Sequence, residues 1–481
     1  MANFEKKELI KKSDDLSGWY QNVVLKAKLA DYTPVKGCMV IRPYGYAIWE
    51  NIQAELDKMI KSLGVKNAYF PIFIPETLLK KEKEHVKGFS PELAVVTIGG
   101  GEELKEKLIV RPTSETIMYA MYAKWLQSYR DLPILMNQWN NIVRWEKRTY
   151  LFLRTTEFLW QEGHTVHETH EEAMKMVRDA LDNYLKIYRD YLAIYGYPGI
   201  KSSAEKFAGA ESSYTYEILM PDGKTLQGGT SHDLGQKFAK VFNIKYISRD
   251  KKSYMPYQTS WGFSTRSIGA LIMVHGDNNG LILPPKISPI QIVIIPVFNK
   301  KVNKDKLVAK AEEIKEKLKN FRVEIDLRQE ETFGWKLNDW EMRGVPLRLE
   351  LGEKEIKDKK YSLVRRDNFE KVKMSENKLS LAVEKILDEI QQGLLSKSKK
   401  FVLDNTREVK NYEEFKKIMK VHRGFIRAYW CESSKCEEKI KEDTKATTRC
   451  LPLEDMDKKE KGKCIYCQKE AKRKWLFGQS Y

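Results

Sequence analysis

Cysteine is scarce in this chain and unevenly placed. Six of 481 residues are cysteine. Cys38 stands alone, while Cys431, Cys436, Cys450, Cys464 and Cys467 crowd into one short stretch. This distribution argues against a disulfide framework, and a cluster of this kind in a reducing compartment points to metal. Long hydrophobic runs are also missing. The most apolar stretch, IQIVIIPVF at 290–298, is far too short to cross a bilayer. The opening MANFEKKELIKKSDD mixes acids with lysines around no apolar centre, so no secretory signal is expected. There is no GxxxxGKS/T loop, which argues against the P-loop route to a nucleotide. No internal repeat is visible. A cytoplasmic location with no membrane partner is the resulting expectation.

What is present is enough for real cores. Hydrophobic residues make up 42% and aromatic residues 11%, against disorder. The length suggests roughly three domains. Net charge is +18, which favours a polyanionic partner such as a nucleic acid. Solvated lysines explain part of it, as in KKEKEH (80–85) and KSKKF (397–401).

The chain divides into three regions: 1–288, 289–395 and 396–481. In the first, the segment 44–63 places Ile48, Ile52, Leu56 and Ile60 on one helical stripe ended by Gly64. A second long helix is predicted over 170–194, with Val177, Leu181, Leu185, Tyr188 and Leu192 inside. In the second region strands near 291–297, 321–326, 346–352 and 361–367 alternate with helices near 304–319, 335–343 and 376–394. That alternation argues an α/β domain with a partly parallel sheet. SKSKK (396–400) reads as a linker.

The chemistry concentrates in LRTTEFLWQEGHT (153–165). In extended conformation one face carries Arg154, Thr156, Phe158, Trp160, Glu162 and His164. Two aromatic walls beside placed charges suit a ligand pocket; an amphipathic strand whose charges reach solvent is the alternative. Arg144 in RWE (144–146), Arg154, and Arg266 at the head of an apolar helix supply three guanidiniums. Each can hold phosphate oxygens in a fork without losing its proton.

Several segments together resemble prolyl-tRNA synthetases of the archaeal and eukaryotic form, within the class II aminoacyl-tRNA synthetases. They are KGCMVIRPYGYAIWENIQ, RPTSET, RWE, FLRTTEFLWQEGHT, KFAGAE, LQGGTSHDLGQKFAK, GFSTR, VHGDNNGLILPP and the terminal FGQSY. The resemblance implies an α+β fold: an antiparallel class II catalytic sheet flanked by helices, an α/β anticodon-binding domain and a small zinc-bearing α+β domain. It implies a homodimer that takes L-proline, ATP with Mg²⁺, and tRNA(Pro), with DNA not expected as a partner. The interval between 165 and 262 leaves no room for a large editing insertion. By the same resemblance Arg144 binds the ATP α-phosphate and the substrate carboxylate, and Glu146 falls near the adenine amino group. Arg154 and Arg266 take the two sides of the bent triphosphate. Gln227 and Thr230 sit by phosphates, Mg²⁺ and ribose. Thr113 and Glu115 face the proline ring nitrogen, and Phe158, Trp160, Glu162, His232 and Ser264 complete the proline pocket. Lys336, Arg348 and Glu350 are the candidates for anticodon bases.

The C-terminal pattern C-x4-C (Cys431, Cys436) then C-x2-C (Cys464, Cys467) suits tetrahedral Zn²⁺, and the resemblance names the same four. Cys450 reads as a structural cysteine. One rival is a threonine-specific relative, which would need a metal at the amino-acid site; no matching ligand set is visible there. The other is an inactive tRNA-binding paralogue.

Overall fold

The structure, a computed structural model, describes residues 9–81, 93–298, 303–458 and 460–481. The start of the amino-terminal segment and most of the lysine run at 80–85 lie outside the described residues.

The first region is built on an antiparallel sheet. The stripe at 44–63 forms helix α1 (Pro43–Ser62), which begins on a proline and buries Ile48, Ile52, Leu56 and Ile60. Gly64 follows with φ +81, a left-handed conformation that glycine adopts without strain. Helix α2 (Glu115–Trp125) follows RPTS directly. Helix α3 (His170–Lys186) starts on a Thr169–Glu172 capping box. The predicted helix over 170–194 changes character at 187, where a wider π-type turn runs Ile187–Tyr191. Tyr188 and Leu192 are buried as expected, and Leu185 only partly. Helix α4 (Arg266–His275) begins at its arginine.

Six antiparallel strands carry the site. They are β1 (Ile134–Val143), β2 (Glu157–His167), β3 (Gly196–Ile200), β4 (Ser212–Leu219), β5 (Thr225–Gly235) and β6 (Tyr257–Ser264). Their order across the sheet is β3-β4-β5-β6-β2-β1. Trp49 of α1 stacks on Phe263 of β6, and Tyr184 of α3 stacks on the same ring. This aromatic layer closes one face of the sheet and leaves the other to the cavity.

The second region is α/β with a partly parallel sheet, as its alternation implied. Strands β7 (Ile292–Pro296), β8 (Val323–Ile325), β9 (Leu347–Leu351), β10 (Lys360–Arg365) and β11 (Lys371–Ser375) lie in the order β8-β7-β9-β10-β11. Only the β8-β7-β9 ladders are parallel. Helix α5 (Phe333–Arg343) ends on left-handed Gly344. Its end docks on the first region, with Leu281 N donating to Met342 O and Leu283 N to Gly344 O.

One feature departs from the sequence reading. SKSKK is not a linker but part of helix α6 (Leu379–Asp404). Leu394, Ser398 and Val402, four residues apart, form the buried stripe that keeps it helical, while Lys397, Lys399 and Lys400 point to solvent. The C-terminal region joins the sheet of the first region. Its strands β12 (Thr406–Glu408), β13 (Phe425–Tyr429), β14 (Ala446–Pro452) and β15 (Lys474–Gln479) extend the antiparallel sheet through β14, where Leu451 pairs Ile200 and Pro452 pairs Gly199. Among the described residues no helix is long and apolar enough to cross a membrane.

Candidate active site

Strand register places the candidate residues in rows on the open face of the sheet. Trp160 lies opposite Ser264. Glu162 lies opposite Gly262, which lies opposite Thr230. His164, Ser260, His232 and Ser213 form the next row. Gly262 leaves the middle of this floor without a side chain. The cavity over the rows is about 200 Å³. Thr113, Glu115, Arg144, Phe158, Trp160, Glu162, Gln227, Thr230, His232, Ser264 and Arg266 all contribute to its wall.

One part of the wall is anionic. Glu162 is 2% exposed and its carboxylate accepts from Ser114 N (3.1 Å), Gln138 Nε2 (3.1 Å), Asn140 Nδ2 (2.7 Å) and His164 Nε2 (3.0 Å). Burial opposes its ionisation, but the His164 contact and these donors prevail and hold its pKa at about 2. Burial likewise disfavours the charged form of His164, yet Glu162 and Glu115 push its pKa above the ordinary value. Glu115 is 3% exposed and accepts from the Thr113 hydroxyl. His232 differs: burial lowers its pKa to about 3, so its ring is neutral, stacked on Phe207 and bonded to Ser213 Oγ at 2.8 Å. Glu115, Glu162 and His164 bring ligand-type atoms within 4.8 Å of one another, a convergence the sequence did not show. The oxygens of Glu162 are already met by protein donors, which leaves a charged cage rather than a ready metal site.

Cations occupy the rest. Arg144 Nε donates to Pro112 O (3.1 Å), with its guanidinium 5.7 Å from the Phe158 ring and 5.4 Å from Trp160. Arg266 Nε donates to Leu153 O (3.1 Å). Arg154 and Glu146 do not join the wall; they pair with each other at 2.7 Å, close enough to Arg266 for its ionisation to feel both. Thr156, on the face read as a pocket wall, instead has its hydroxyl side against Gly37.

Sequence reading missed several wall residues, among them Lys201, Glu205, Phe207, Ser213 and Ser260. Phe207 lay within the KFAGAE segment already singled out. The serines reach the site through strand register alone, which no local pattern reveals.

Cys431, Cys436, Cys464 and Cys467 have their sulfurs within 4.8 Å of one another. Cys431 Sγ is 3.6 Å from both Cys436 Sγ and Cys467 Sγ. Tetrahedral ligands roughly 2.3 Å from zinc stand roughly 3.8 Å apart. The set therefore fits Zn²⁺. Cys450 is buried elsewhere, against Gly199.

The family profile "tRNA synthetase class II core domain (G, H, P, S and T)" matches residues 96–275, "Anticodon binding domain" matches 291–386, and "Prolyl-tRNA synthetase, C-terminal" matches 412–481. "Proline--tRNA ligase" of Natranaerobius thermophilus is 50% identical over 99% of this chain and 98% of its own length. The protein of the same name from Alkaliphilus oremlandii is 52% identical over 97% and 96%. "Proline--tRNA ligase 2" of Clostridioides difficile is 50% identical over the whole of both chains. The chain belongs to the prolyl-tRNA synthetase family.

Within this prolyl-tRNA synthetase architecture the three matched stretches fall on the antiparallel sheet, the α/β region and the cysteine-bearing region. The anticodon candidates are placed unequally. Lys336 is buried, its ammonium turned inward to Asp326 O (3.2 Å), against the expectation of a base contact. Arg348 pairs with Glu341 (2.5 Å) and Glu350 (3.2 Å), and Glu350 with Lys371 (2.5 Å). Tyr481 docks beside the LQGGTSH strand, its N donating to Thr225 O (3.3 Å).

Proposed function

We propose that this chain activates L-proline with ATP to prolyl-adenylate and passes the prolyl group to the 3′ end of tRNA(Pro), releasing pyrophosphate and AMP, in the cavity on the antiparallel sheet. The observation that carries this is the opposition of charges in one small wall. Glu115 and Glu162 suit a secondary ammonium, which has two N–H groups to satisfy. Phe158 and Trp160 pack a compact ring. Arg144 suits the carboxylate and the α-phosphate that meet in the first step. Ser260 Oγ and Trp160 Nε1 are buried without a hydrogen-bond partner among the described residues, as groups kept for a substrate are.

The proline carboxylate attacks the α-phosphorus, and a tRNA hydroxyl then attacks the acyl carbon. Neither step calls for a protein nucleophile, so positioning and charge neutralisation dominate. Arg266 and Arg154 are assigned to the triphosphate, Glu146 to the adenine, and Gln227 and Thr230 to phosphate and ribose. Mg²⁺ supplies further offset of phosphate charge. His232, held neutral, and Ser264 shape the pocket without adding charge. Cys431, Cys436, Cys464 and Cys467 hold a structural Zn²⁺, because four protein ligands leave no open position. Arg348 and Glu350 are the anticodon candidates, and Lys336 is held against Asp326. The working division remains 1–288, 289–395 and 396–481, with α6 spanning the second boundary. A homodimer accounts for large apolar side chains left in the open, such as Tyr32 (56% exposed), Val35 (58%) and Tyr69 (73%). The compartment assigned is the cytoplasm.

The test is amino-acid-dependent ATP–pyrophosphate exchange with proline, threonine, alanine and cysteine. Strong exchange with proline is expected. Weak exchange with cysteine or alanine is also expected, because a pocket gains only about 1–3 kcal/mol per methylene. Exchange with threonine alone would overturn the pocket assignment. No exchange at all would favour the inactive paralogue.

A further inference from the structure

Lys201 follows β3 and lines the cavity, with its side chain 2% exposed. Its ammonium lies 2.6 Å from Glu217 Oε1. Glu217 sits on β4, fully buried, directly across the ladder from Gln227. Its other oxygen accepts from Arg449, at 3.0 Å from Nε and 2.9 Å from Nη2. Arg449 comes from β14, in the C-terminal region. One buried carboxylate therefore holds two buried cations. Glu205 adds only a long contact of 3.8 Å to Arg449, and stands 4.0 Å from Lys441 as well. Lys201 and Arg449 against Glu217 leave one positive charge, which Glu205 offsets only at that longer range. A buried uncompensated cation is costly unless an anion meets it. Of this group, Lys201 and Glu205 border the cavity.

We propose that Lys201 binds an anionic oxygen of the substrates, a phosphate of ATP or the carboxylate of proline, and that Arg449 is its positioning residue. Arg449 occupies one Glu217 oxygen so that Lys201 takes the other and is held against the cavity. The C-terminal region thus completes the active site. The inference rests on the proposed reading of the cavity.

The test is exchange kinetics on full-length Lys201→Met, Arg449→Lys and the double variant, with ATP and proline varied separately. Arg449→Lys keeps the charge but loses the two-nitrogen grip on Glu217. Lys201→Met is expected to raise one KM at least about tenfold, the loss of a charge-assisted hydrogen bond. A rise for ATP assigns the phosphate; a rise for proline assigns the carboxylate. Arg449→Lys should raise the same KM, and should add nothing once Lys201 is Met. If both KM values stay put while kcat or the melting temperature falls, the role is structural and the proposal is overturned. Additive effects of the two changes would overturn the positioning role. If Lys201→Met alone does not fold, Lys201→Met with Glu217→Gln removes the pair as a unit and is read the same way. Absence of proline-dependent exchange in the unmodified chain is a different failure, that of the cavity reading itself.

Discussion

Glu162 and His164 stand two residues apart on β2, face the same cavity and share a contact of 3.0 Å. Each shifts the other toward its charged form. The Glu162 carboxyl falls from 4.5 to about 2, and the His164 pKa rises above 6.5. A depressed carboxyl contributes stability that is complete above its unfolded value and is lost as pH falls through the folded value. A raised histidine contributes stability that is complete below its unfolded value and is lost as pH rises through the folded one. The pair is therefore most stabilising between about 4.5 and about 6.5. The melting temperature of Glu162→Gln, measured across pH, should fall furthest below the unmodified chain in that window. A difference that stays flat with pH would contradict the linkage.

Arg144 is the guanidinium assigned to both reacting groups of the first step. Arg144→Ala should lower proline-dependent exchange at least about 100-fold, the scale of losing one oriented charge-stabilising donor. The melting temperature should move little by comparison. Near-normal exchange in this variant would remove Arg144 from the assignment.

Gly163 interrupts a row of large side chains for a packing reason. A Cβ there would lie 2.2 Å from the ring of Trp261, its cross-strand partner on β6. Gly163→Ala must displace that ring or the strand that carries Glu162. The expected loss is about 1–3 kcal/mol by denaturant unfolding, in the range of overpacked cores, together with a higher KM for proline. Unchanged stability would mean that Trp261 moves freely.

The four-cysteine cluster is expected to hold one zinc per chain, read by metal analysis of the purified protein. Cys464→Ser should lower that content sharply. Because β14 pairs with β3 beside the cavity, the same change should also lower exchange activity. Loss of zinc with full activity would show that the C-terminal sheet docks without its metal.

Much of the chemistry was legible in the residues. The alternation along 153–165 placed Phe158, Trp160, Glu162 and His164 on one face, and the strand keeps them there. Two paired cysteines at each end of a short stretch announced a tetrahedral set. Where reading failed, composition outweighed periodicity. SKSKK looked like a linker because lysines dominate it, although Leu394, Ser398 and Val402 keep the helical step. Lys336 is an anticodon candidate by resemblance, and only the fold turns its ammonium inward to Asp326.

The sequence by itself determined which groups the chain possesses and, where a period of two or of about 3.6 is clear, which of them share a face. Those are local properties, set by backbone geometry over a few residues. Tertiary structure alone decided the rest. It set Ser213, His232, Ser260 and His164 in one row, moved Arg154 onto Glu146, and carried Arg449 into contact with Glu217. Each depends on strand register and domain docking between segments far apart in the chain. Pairing of that kind is selected by the burial of whole faces together, and no short stretch of residues encodes it.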